Sequence, residues 1–180
     1  MLESLIHSLG WEPFLRYWLR WPSIEHFFVR HAWGWPICEV LHFVGLILLI
    51  GTVGMFDLRV LGMGKGLSFG LLRRILPWGV LGFVLCVITG VMFVGGVYAN
   101  IEAHPYVVLI NDVYLQWKLL FIFLAGVNLL VFHVTGASRA VDQLRPEDDA
   151  PRFAKVIGAT SLFLWLGVIY FGRLIPWALP

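Results

Sequence analysis

A chain of 180 residues with a mean hydropathy of +0.83 and only 13% charged side chains would coat a soluble body in exposed apolar groups, so a water-soluble fold is excluded. Four spans of about 20 residues each leave too little chain for a separate soluble core, so any function must sit inside a membrane bundle or at its ends. The surroundings are a lipid bilayer, and no nucleic acid is expected as a partner.

In chain order, residues 1–35 carry three arginines and three glutamates by His31 with no long uncharged core, which is unlike a cleavable signal peptide. With Trp11, Trp18, Trp21, Trp33 and Trp35 among those charges, the segment reads as interfacial helix capping one mouth of the bundle. The first span is expected at about 37–60, after Pro36 as a helix start, and carries Cys38, Glu39 and His42 within its apolar run. The second is expected at 76–97, opening on Pro77 and bearing Gly79, Gly82 and Gly90 for close helix packing. The third covers 115–137, with Lys118 near one end and His133 near the other, and the fourth covers 156–177, with Arg173 as its charge. This predicts an all-α, single-domain, four-helix membrane bundle.

Arg59, Lys65, Arg73 and Arg74 flank the first connection, and Arg139, Arg145, Arg152 and Lys155 the third, whereas the second holds Glu102, His104 and Asp112. The positive-inside rule then puts the first and third connections in the cytoplasm and both termini in the periplasm of a bacterial inner membrane.

Ionisable residues inside spans are expensive and usually functional. Here they form two layers: Glu39, His42, Lys118 and Arg173 toward the outer side, and Asp57, Arg59 and His133 toward the inner side. His42 shares a helix face with Cys38, Glu39 and the small Gly45, and His133 has Gly126 and Ala125 on nearly its own face. An imidazole above small residues suits a flat macrocycle, so His42 and His133 are candidate haem b ligands, with Lys118, Arg173 and Arg59 as candidate partners of its propionates. The same histidines would serve equally as hydrogen-bond partners between helices. Cys38, Glu39 and His42 with one outer histidine also suit copper, zinc or iron, and His133 is a further candidate metal ligand. Roughly 16 Å in depth separates His42 from His133 in straight helices, which disfavours one iron shared by both. His26, His31, His104 and Met92 are then alternative partners for His42, and Met55 for His133.

The pattern Glu39-x-x-His42, Gly45, Gly51, Asp57-Leu58-Arg59, Pro77-Trp78, Lys118, Gly126-x-Asn128 and Phe132-His133, leading to Arg173, resembles a family of small bacterial four-span inner-membrane proteins of uncharacterised function. It is more distantly similar to copper-resistance membrane proteins and four-helix b-type cytochromes. The resemblance covers roughly residues 33–178 and implies inward-facing histidines and a haem or metal. With no nucleophile beside a base and no phosphate-binding loop in the sequence, the expected function is a haem-linked electron-transfer subunit rather than a self-contained enzyme. It would pass electrons between a periplasmic redox partner and a membrane component such as quinone. A metal-ion or proton transporter and a scaffold subunit of a membrane complex are the alternatives.

Overall fold

The computed structural model describes residues 6–101 and 104–177; Glu102, assigned above to an outer connection, lies outside them. Helices α1 (Glu12–Trp18) and α2 (Pro22–Arg30) precede span one, α3 (Gly34–Val60), and span two, α4 (Phe69–Ile101). After the short α5 (Pro105–Asn111) come span three, α6 (Val113–Val134), the short α7 (Ala137–Asp142), and span four, α8 (Arg152–Leu174), which ends in a 3-10 turn. The four long helices are apolar enough to cross a membrane, and they form an all-α bundle without a strand among the described residues. In hydrocarbon every backbone polar group must be paired within its own segment, which is why runs of this composition become helices. Large side chains such as Phe43, Ile47, Leu130, Phe163 and Leu166 stand exposed along them, as a lipid-facing surface requires.

Several boundaries differ from the sequence expectation by a few residues, and two of them have identifiable reasons. Span two begins at Phe69 rather than at Pro77, which lies inside the helix. Ser68 Oγ accepts from the Leu71 backbone N–H at 3.2 Å and starts the helix, while Phe69 and Leu72 are buried against Phe56 and Val60. That burial holds the additional turns, and the missing Pro77 N–H is tolerated as in other membrane helices. Span three stops at Val134 rather than 137 because Gly136 adopts φ +76°, a left-handed conformation that breaks the helix before α7.

Spans one and two pack as one antiparallel hairpin and spans three and four as another, with span one also lying on span four. The first hairpin has a regular register: Cys38 meets Met92, His42 meets Thr89, Gly45 meets Cys86 and Gly82, and Thr52 meets Gly79. A Cβ at Gly82 would lie 2.8 Å from the Leu49 backbone nitrogen and 2.9 Å from Leu48 Cβ, so the backbones touch only because this residue has no side chain. Among the described residues, spans two and three share no comparable contact, and a space opens between the hairpins.

At the end where span one begins, Phe28, Trp21 and Ile24 from the α2 region cover Gly95 and Gly96 of span two, so the N-terminal segment caps the bundle there. At the opposite end, where span one finishes, a clamp forms around Arg59, which is 1% exposed. Its Nε donates to Leu67 O at 3.0 Å, and its Nη2 donates to Asp148 O at 3.3 Å and also to Pro146 O. The guanidinium also lies 4.6 Å from the centroid of the Phe69 ring. The two basic connections are joined again by Asp149, which pairs with Lys65 at 3.2 Å and Lys155 at 3.4 Å. Those two ammonium groups hold the Asp149 carboxyl below the usual carboxylate range, so this tie is present above the ordinary carboxylate pKa and is lost as pH falls through the lowered one.

Arg59→Ala is expected to leave three backbone carbonyls short of a donor and to lower stability by on the order of 3 kcal/mol. Thermal unfolding in detergent, together with faster proteolysis of the 61–68 and 143–151 connections, measures it. Wild-type behaviour in both assays would show that the clamp is dispensable.

Candidate functional site

The space between the hairpins is a cavity of about 510 Å³ in the half of the bundle nearer the Arg59 clamp, receiving side chains from all four spans. This volume lies within the range of small-molecule and cofactor sites. Its wall is largely apolar, including Phe83, Leu129 and Trp165, and its polar groups are Asp57, Arg73, Asn128, His133 and Ser161.

Asp57 is 7% exposed, lies beside the Ser161 hydroxyl, and has no hydrogen-bond partner at Oδ2. A carboxylate in this position calls for a proton or for positive charge from something that enters the cavity. Asn128 donates its amide to Ile157 O at 3.1 Å, tying span three to span four at the cavity wall. His133 Nδ1 lies 2.9 Å from Leu129 O. A carbonyl can only accept, so Nδ1 carries the proton and Nε2 keeps the lone pair that a metal would use. Gly126, also on the wall, has nothing within 4 Å of where a Cβ would stand, so the face beside His133 is open. Arg73 is at the inner end, donating to Ser138 Oγ at 2.6 Å and paired with Asp142.

The outer layer is built differently. His42 Nδ1 lies 2.7 Å from Thr89 Oγ1, and its ring meets Phe93 edge-on at 5.6 Å. Gly45, expected to leave a flat face below His42, is instead filled by span two: a Cβ there would lie 2.8 Å from both Cys86 Sγ and Gly82 O. The open face therefore lies beside His133 and not beneath His42. Lys118 is within electrostatic reach of His42 and Cys86, and its Nζ lies 3.4 Å from a Cβ built on Gly172, so this side chain lies against span four. The fifteen residues from Lys118 to His133 span about 22 Å along one helix, which separates the two histidine layers.

Other candidates have different surroundings from those expected. Arg59 gives its Nε and Nη2 to loop carbonyls, and Glu39 is exposed and accepts from Trp35 Nε1 at 3.3 Å instead of joining Cys38 in a ligand set. Arg173 is exposed, as are His26 and His31, the latter packed on Phe27 and Trp33. His104 accepts the Tyr106 N–H at 3.1 Å as a helix cap, and burial, with Arg16 and Arg20 nearby, pushes its pKa down. Met55 is 45% exposed, facing away from the bundle. Among the described residues no three His, Cys, Asp or Glu side chains gather into a metal set. Ser161 and Arg73 were not singled out from the sequence as site residues; the signal for Ser161 was a small hydroxyl one turn from Gly158 on span four.

Fold and site together define a polytopic membrane protein, a four-helix bundle with a buried-carboxylate cavity between two hairpins. Comparison of the chain with protein-family models, curated proteins and solved structures finds no match in any of the three.

Proposed function

We propose that the chain is a membrane electron-transfer subunit whose cavity between the hairpins would take haem b, held by His133. The observation that carries this reading is a cavity of about 510 Å³ whose wall includes an imidazole with its Nδ1 proton committed to a carbonyl. Haem, when bound, supplies a one-electron iron couple. His133 would hold it through Nε2, Gly126 and Ala125 would leave room beside it, and Arg73 on the cavity wall would offer charge to carboxylate tails. Asp57 offers negative charge toward a cationic iron centre, and the apolar wall excludes water. A periplasmic or membrane redox partner and a membrane acceptor such as quinone complete the path.

The visible spectrum of the detergent-purified chain, oxidised and then reduced, tests this. A sharp reduced band at near-stoichiometric haem is expected, and a colourless protein after expression with ample haem supply overturns it. A second reading, proton passage across the inner half, is favoured by the unpartnered Asp57 Oδ2; proton flux in proteoliposomes lost on Asp57→Asn in a colourless protein would establish it instead.

The membrane is taken to be a bacterial inner membrane with both termini periplasmic, on the basic charge collected at the clamp end. Single cysteines introduced at Gly66 and at Ser23 in a Cys38→Ser, Cys86→Ser background are expected to label oppositely with an impermeant maleimide in intact cells. Labelling of the Gly66 position alone reverses the orientation.

A further inference from the structure

The register of the first hairpin places a second group of ligand-capable side chains outward of the cavity. Cys38 Sγ lies 3.7 Å from Met92 Sδ, and Cys38 is 4% exposed. Two sulfurs each about 2.3 Å from a tetrahedral metal stand about 3.8 Å apart, so these two are already at the bite that a shared ion requires. His42 follows Cys38 by one turn on the same face. Its tautomer is set by the chain: the Thr89 hydroxyl donates to Leu85 O at 2.7 Å, so its oxygen accepts from His42 Nδ1 and leaves the lone pair on Nε2. Orienting bonds of this kind are typical of metal-binding histidines.

We propose that Cys38, Met92 and His42 form a site for copper(I), separate from the inner cavity. Thiolate, thioether and imidazole are a soft donor set that favours this ion. On binding, the Cys38 S–H bond breaks, an S–Cu bond forms, and the proton leaves toward the outer aqueous side. The metal arrives and stays as copper(I), so no oxidant or reductant is consumed. One monovalent ion and one thiolate make a neutral unit, which hydrocarbon accepts, whereas zinc in the same set would leave a net positive charge. Trp35 and Phe93, with ring centroids 5.1 Å apart, sit beside the site and shield it from water. Cys86 is not part of the set, since its thiol donates to His42 O at 3.5 Å. The thioether completes a trio that carboxylates, thiols and histidines alone do not form among the described residues.

The test uses the full chain in detergent, without oxygen, in the His133→Ala background so that the inner cavity does not contribute, and titrates it with copper(I) as its bicinchoninate complex. The wild-type outer site is expected to withdraw a single equivalent, with affinity falling about tenfold or more in Cys38→Ser and in Met92→Leu and unchanged in Cys86→Ser. Copper(I) is also expected to slow alkylation of Cys38. Met92→Leu conserves volume and carries the test alone if Cys38→Ser loses its helical circular dichroism. Absence of copper(I) withdrawal, or equal withdrawal by the Met92→Leu protein, overturns the proposal.

Discussion

His133→Ala strips haem from the purified protein, and His42→Ala leaves most of it: that is the expected pair of results, read from reduced-minus-oxidised spectra at matched protein concentration. His42 has the stronger claim by pattern alone, with Gly45 following it on the same face. Packing reversed the order, since span two fills that face while the wall beside His133 is open at Gly126. Removing the sole protein ligand should cost at least tenfold in haem affinity, on the order of 1.4 kcal/mol or more. Addition of free imidazole to a His133→Gly protein should restore the band, a rescue that a merely structural histidine would not allow. Bleaching in the His42 variant alone would move the haem to the outer layer. Complete loss in both would require one iron to bridge the two histidine layers, and thus a rearranged span.

Gly82→Leu is expected to disrupt the first hairpin. The new side chain must displace the Gly45 carbonyl and Leu49 N, which are backbone atoms in rigid helices. Overpacking of this kind costs about 3 kcal/mol or more, visible as a large fall in the detergent melting temperature and in the yield of monodisperse protein. Gly90→Leu serves as the control, because nothing lies within 4 Å of a Cβ there. Equal stability of the two variants would mean that spans one and two do not approach as closely as their register implies. The same disruption would separate Cys38 from Met92 and His42 from Thr89, so copper(I) binding should fall along with stability.

Four membrane helices were legible because each carries its own reason to exist: an uncharged run long enough to cross hydrocarbon, where the backbone has no other donors and acceptors to use. The N-terminal cap was legible for a similar local reason, as indoles and charges alternate through Trp11, Trp18, Trp21 and Trp33. The start of span two was not, because Pro77 is a start signal in isolation and only the burial of Phe69 and Leu72 against span one holds the earlier turns. Arg59 likewise looked available for a propionate, yet its partners are carbonyls some 87 residues away in sequence at Pro146.

Hydropathy and charge by themselves determined that this chain crosses a membrane four times and that its titratable groups fall into two layers, since both depend on position along single helices. Which layer has room for a cofactor, and which side chains meet across helices, was decided only by tertiary structure. Gly45 and Gly126 are the same residue type on comparable faces, but one is pressed against a neighbouring backbone and the other opens on a cavity. Cys38 and Met92 become a pair only through the antiparallel register of two helices, a relation no pattern within either helix contains.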